Sequence, residues 1–175
     1  YEIFVTQSAG KLEEVIKKTS SAKILAHIME NTDGDLSNDL QIELNLGLNP
    51  WLSQAANSLD SGFILTFDYG ATADELFSPS RSGGTVRTYY KHTISDNPYI
   101  RLGKQDITSH VNFSHVMKLG ATKGLTNLGY TTQREFLKRL GIDAYLETLT
   151  KQSHIPLQSH SIANNKGINQ NSSCS

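Results

Sequence analysis

The sequence predicts an α/β fold, and three observations carry that prediction. A helical apolar stripe from Trp51 to Leu59 is followed by Gly62 and the run Phe63-Ile64-Leu65-Thr66-Phe67. Apolar runs without alternation suit strands covered on both faces, as in parallel sheets. The run ends in Asp68-Tyr69-Gly70, and ligands of such sheets sit outside the carboxyl ends of their strands. Farther along, Gln105–Phe113 alternates in the manner of a strand and leads directly into another helical stripe.

From the N-terminus, Ile3 and Val5 alternate with Glu2, Phe4 and Thr6. Gln7-Ser8-Ala9-Gly10 supplies a turn, and Leu12, Val15 and Ile16 return, so a hairpin is expected. Ser21–Met29 places Leu25, Ile28 and Met29 at helical spacing, and the acidic, turn-rich Asn31–Leu40 reads as a loop. Asn49 is the expected cap of the next helix, with Pro50 at its first position. Its stripe is Trp51, Leu52, Ala55, Ala56 and Leu59.

After the strand, Ala71–Gly103 reads as a long irregular loop, a length usual only for functional or disordered segments. Asn112 caps the helix that follows Gln105–Phe113, with the stripe Phe113, Val116, Met117, Gly120, Ala121 and Gly124. Thr132-Gln133-Arg134-Glu135 has capping-box spacing before Phe136, Leu137 and Leu140, and Gly141 is the stop. From Gln152 to Ser175 the chain holds six Ser, four Asn, one charged residue and no aromatic. Such a stretch buries too little to offset backbone ordering at roughly 1–2 kcal/mol per residue, so a disordered tail is expected over 152–175. Residues 1–151 are then the folded part.

Sixteen basic and 17 acidic side chains leave a formal charge of −1, with a pI of about 6.6. That balance argues against an electrostatic grip on nucleic acid or on an anionic membrane. A single cysteine, Cys174, excludes an internal disulfide framework and a cysteine-based zinc site within these 175 residues. No apolar run approaches the roughly 20 residues of a membrane-spanning helix.

Asp68, at a strand end, is a candidate to orient a substrate or take its protons, with an Asx-turn acceptor as the alternative. Asp106, His110 and His115 allow a metal reading, but no HExxH pattern or cysteine partner supports it. A hydrogen-bonded Asp106–His110 pair fits better, with a general-base role for His110 in between. Arg81, Arg87 and His92, with Gly83-Gly84, suit a carboxylate or a protein partner; the alternative is a solvated loop. None of the thirteen glycines forms a G-x-G pair, so no dinucleotide fingerprint or P-loop is present in these residues. No G-x-S-x-G elbow supports a serine nucleophile.

Five blocks together carry a resemblance. They are Gly62–Gly70, Gly83-Gly84-Thr85-Val86-Arg87, His92, Asp106–Phe113 and Gly129-Tyr130-Thr131-Thr132-Gln133. In order and spacing over roughly residues 40–142 the chain resembles the MidA-type (DUF185, COG1565) S-adenosylmethionine-dependent methyltransferases, which include a mitochondrial complex I assembly factor. The resemblance implies the second half of a Rossmann-like class I methyltransferase fold, with an inserted hairpin and long loop. It implies methyl transfer from S-adenosylmethionine to a guanidinium nitrogen of a protein substrate, a respiratory complex I subunit being one candidate, and it admits a homodimer. The compartment would be the bacterial cytoplasm or the mitochondrial matrix.

Within that resemblance Asp68 and His110 are the expected catalytic residues. Tyr69, Gly70, Arg87, His92, Asp106 and Thr108 are the expected substrate-binding residues, and no metal is expected. The glycine-rich turn that holds the cofactor in this family precedes the matched region. The family's closing strands would stand near Tyr145, where this chain turns polar. Cofactor-binding residues are therefore not assigned, and the expectation is an enzyme fragment, inactive by itself. A non-enzymatic interaction module using Arg81–His92 is the alternative, and a metal enzyme using Asp106 and His110 a third.

Overall fold

The computed structural model describes residues 1–31 and 40–153. They fall into two compact units, one from Tyr1 to Tyr130 and one beginning at Thr131. The first opens with β1 (Glu2–Ser8) and β2 (Lys11–Lys17), antiparallel from Glu2↔Lys17 to Ser8↔Lys11. That register leaves only Ala9 and Gly10 in the turn, both with positive φ (47° and 79°), which suits the twist of a two-residue hairpin. The hairpin is the expected one with a tighter turn. Helix α1 (Ala22–Asn31) follows, and Ser21 Oγ accepts from the Ile24 N–H. The loop expected at Asn31–Leu40 lies almost wholly outside the described residues.

Helix α2 spans Leu48–Asn57, so it begins before the expected cap. Gly47, not Asn49, is the N-cap, and Asn45 Oδ1 accepts from the Gly47 N–H at 3.0 Å. Pro50 is the third helical residue, where its missing N–H still breaks no helical bond. The stripe turns inward mainly through Leu48 and Leu52, while Trp51 is half exposed.

The largest departure from expectation comes next. Residues 63–67 form no strand, and Phe63 and Leu65 are 83% and 66% exposed. A strand covered on both faces needs neighbours on each side and layers above and below. Among the described residues no strand pairs with this run. The parallel pairing occurs just beyond it, between β3 (Gly70–Ala71) and a later strand (Val111–Asn112).

The segment 71–103 is not an irregular loop. It contains α3 (Ala73–Leu76), a 3-10 turn (Pro79–Arg81), β4 (Arg87–Tyr90) and β5 (Thr93–Ser95). β6 (Asp106–Thr108) pairs antiparallel with the other edge of β4, giving the order β5-β4-β6. The alternation expected over 105–113 is interrupted at Ser109-His110. The chain there leaves this sheet and enters β7 (Val111–Asn112), the partner of β3.

Helix α4 (Phe113–Ala121) starts at the expected cap, with Asn112 Oδ1 accepting from the His115 N–H at 3.0 Å. Gly124, expected in its stripe, lies past its end at φ 78°. Leu48, Leu52, Ala71 and Leu76 are the buried hydrophobic residues, joined by buried Thr85, Thr88 and His115.

In the second unit, α5 (Gln133–Arg139) begins at Thr132, whose Oγ1 accepts from the Glu135 N–H at 3.2 Å. Gly141 ends it at φ 82°. Helix α6 (Ile142–Ser153) then carries Tyr145, in place of the expected polar decline, and takes in Gln152 and Ser153 from the expected tail. The rest of that tail lies outside the described residues.

Candidate active site

The parallel β3–β7 pair builds the site from the backbone outward. Gly70 is opposite Val111, and Tyr69 O accepts from the Val111 N–H at 2.8 Å. The register therefore sets Asp68-Tyr69 beside Ser109-His110 at the entry to both strands. Gly70 makes the approach possible, because a Cβ there would collide with Val111 O and come within 2.7 Å of the Phe113 ring. Asp68 lies ahead of β3, not at the carboxyl end of a strand through 63–67. Its Oδ1 accepts from the next residue, the Tyr69 N–H, at 2.7 Å. Asp68 and Tyr69 are exposed.

His110 is held from two directions. Its backbone N–H donates to Thr85 Oγ1 at 2.9 Å, and Thr85 in turn donates to Glu43. The Glu43 carboxylate accepts the Thr85 N–H at 3.0 Å on both oxygens and the hydroxyl at 2.7 Å. Gly84, at φ 75°, permits this, since a Cβ there would strike the Glu43 carboxylate. From the other side Arg81 Nη1 is 3.1 Å from His110 Nδ1, and Arg81 Nη2 is 2.5 Å from Glu75 Oε1. The expected Asp106–His110 pair is thus replaced by Arg81–His110. A strand change lies between Asp106 and His110, so alternation along one strand does not relate them.

Glu43, Thr85 and His110 border a pocket of about 430 Å³, together with Asn112, His27 and His115. The His27 and His115 rings meet edge to face with centroids 4.6 Å apart. Burial lowers the pKa of both below the usual histidine value, with Glu30 opposing in each case. Each imidazole is therefore biased toward its neutral form.

The remaining expected substrate residues gather on the three-stranded sheet. Arg87 is opposite Thr108, and Asp106 is opposite Tyr89. Arg87 Nε reaches Asp96 at 3.4 Å between exposed side chains, and its Nη1 donates to Val86 O at 2.6 Å. His92 occupies the β4–β5 turn with Lys91, both left-handed at φ 64° and 46°. Tyr69, Gly70 and His110 thus form one group near Asp68, while Arg87, His92, Asp106 and Thr108 form another. No cluster of three or more metal-ligating side chains occurs among the described residues.

Sequence reasoning missed Glu43 and Glu75. Glu43 left a signal, a lone carboxylate between Ile42 and Leu44; Glu75 left none that separates it from any helix-start acid.

The family model described as S-adenosyl-L-methionine-dependent methyltransferase matches residues 1–131, three quarters of the chain. The chain belongs to this methyltransferase family. The mouse (Mus musculus) mitochondrial protein arginine methyltransferase NDUFAF7 is 36% identical over 95 residues, covering 54% of this chain and 20% of that protein. Its human (Homo sapiens) counterpart is 31% identical over 99 residues, covering 57% and 20%. A crystal structure of a COG1565 superfamily member from Burkholderia thailandensis, bound to S-adenosyl-homocysteine, is similar with a TM-score of 0.75 and 26% identity. That match covers 88% of this chain and 40% of the other. The chain thus spans about a fifth of the curated relatives it matches and two fifths of the solved structure.

The residues described here do not by themselves fit the family's cofactor. They present no G-x-G turn whose N–H groups would cradle it, and the carboxylate in the pocket, Glu43, already accepts from Thr85 on both oxygens. No helix among them is long and apolar enough to cross a membrane.

Proposed function

We propose that this chain supplies the acceptor side of a protein arginine methyltransferase, within the second half of a Rossmann-like domain. The observation that supports the reading is the β3–β7 register, which pairs Gly70 with Val111 and so brings the Asp68-Tyr69 step alongside Ser109-His110 in a chain of this family. S-adenosylmethionine, when bound, supplies an electrophilic methyl group. The chain's own residues act on the nucleophile. Asp68 has one oxygen committed to the Tyr69 N–H, and its carboxylate, exposed among the described residues, can pair with a guanidinium N–H through the other. That contact orients the nitrogen, and the same carboxylate takes the proton released as the nitrogen is alkylated. Tyr69, Gly70, Arg87, His92, Asp106 and Thr108 are proposed to bind the protein substrate around it.

The naming of the mouse and human relatives supports arginine as the acceptor and the mitochondrion as the compartment in a eukaryote. The bacterial cytoplasm is proposed for a bacterial host. A respiratory complex I subunit is the proposed substrate, homodimerisation is proposed for the enzyme, and cofactor binding is proposed to need residues beyond these 175. In the full-length polypeptide, Asp68→Asn should lower methyl transfer to an arginine peptide by about 100-fold, the scale of a lost acid–base group, with the fold retained. Full activity in Asp68→Asn removes the reading. Calorimetric titration of the 175 residues alone with S-adenosylmethionine should show no saturable heat; micromolar binding would reverse the claim about the cofactor.

A further inference from the structure

We infer that His110 serves this site as a hydrogen-bond donor through Nε2–H, its tautomer set by Arg81, so that proton acceptance falls to Asp68. The tautomer stands on geometry alone; what the donor meets rests on the function proposed above. A guanidinium has five N–H donors, no lone pair, and stays protonated wherever a protein is folded. Arg81 Nη1 lies 3.1 Å from His110 Nδ1, so the contact is a hydrogen bond only if Nδ1 accepts. Accepting occupies the one lone pair on Nδ1, and the neutral ring then carries its proton on Nε2. An imidazolium would instead point N–H at N–H and place two positive charges at this distance.

The surroundings hold the arrangement. Arg81 is anchored by Glu75, the two side chains being 30% and 58% exposed, so the ion pair orients more than it stabilises. The His110 backbone is fixed through Thr85, itself clamped by Glu43. With the Nδ1 lone pair engaged and Nε2 protonated, the neutral ring has no free site for a substrate proton. It can give a hydrogen bond to an oxygen, and His110 borders the pocket. The matching substrate group is an amide carbonyl of the peptide that carries the methyl-accepting arginine. Arg81, Thr85 and Glu43 are positioning residues for that donor.

Long-range ¹H–¹⁵N correlation spectra of the histidine-labelled 175-residue chain at pH 7.5 read the tautomer directly, His110 being assigned through His110→Gln. The expected pattern is a protonated Nε2 with a bare Nδ1. An Nδ1–H tautomer, or an imidazolium, overturns the inference without any variant having to fold. Arg81→Met should bring both tautomers into exchange; an unchanged Nε2–H form would show that Arg81 does not set it.

In full-length enzyme, His110→Gln keeps an N–H donor and should raise KM less than His110→Phe does. His110→Phe should raise KM about tenfold, one lost hydrogen bond, with an unchanged pH profile of kcat. A histidine-range limb in the kcat profile that disappears in His110→Gln would make His110 the base and defeat the assignment. The Nε2–H tautomer found in a protein with no methyl transfer would leave the inference standing and remove the proposed function instead.

Discussion

The N-terminal hairpin and the run Phe63–Phe67 are both apolar-rich, yet one forms strands and the other does not. The hairpin closes on itself, because a two-residue turn at Ala9-Gly10 brings seven register pairs together. The run has stronger strand composition but joins no sheet among the described residues. What forms here depends less on propensity than on whether a hydrogen-bonding partner is brought alongside, by a tight turn as at Ala9-Gly10 or from afar as between β3 and β7. The same contrast separates α2, which buries Leu52 to 2%, from the neighbouring run, where Leu65 stays 66% exposed.

Truncations along these two regions test the contrast. Leu52→Ala should cost the most, about 3 kcal/mol by urea unfolding, since it empties a packed position. A loss under about 1 kcal/mol would mean that α2 does not anchor the first unit. A smaller effect is expected from the His27–His115 contact between α1 and α4. Both folded pKa values are lowered, so the unfolded chain binds protons more readily. Their contribution is whole above the unfolded value near 6.5 and is lost as pH falls from there through the lowered folded values. Urea midpoints measured from pH 8 to 5 should therefore drop on the acid side. The drop should shrink in the double variant His27→Phe/His115→Phe, and an identical slope there would disprove the linkage.

Thr132→Ala should remove about 1 kcal/mol from α5 through loss of its cap, read as reduced amide protection at Glu135. Leu65→Ala, smallest of all, should change stability by less than about 0.5 kcal/mol despite deleting a larger apolar group than many core variants do. A cost like that of Leu52→Ala would show that the run is packed after all. That single number sharpens the comparison most.

Local chemistry was legible in the sequence. Asn112 and Thr132 cap helices because their short side chains reach backbone N–H groups three residues on, wherever the chain sits. Ala9-Gly10 and Gly141 mark a turn and a stop for equally local reasons. Asn49 misled because Asn45 and Gly47, further upstream, started α2 earlier. The β4–β5 hairpin inside 71–103 was hidden because its strands are three or four residues long, too short for a periodic signal.

For the site, the sequence alone singled out Asp68 and His110 as candidates and supplied the family blocks around them. It also determined that no G-x-G turn lies within these residues. Only the tertiary structure decided who pairs with whom: Arg81, not Asp106, meets His110, and Glu43 clamps Thr85 from 42 residues away. Alternation along a strand cannot reveal that β6 and β7 belong to different sheets. The pairing depends on where β3 docks, and β3 docks on β7 because Gly70 has no side chain to keep Val111 and Phe113 away.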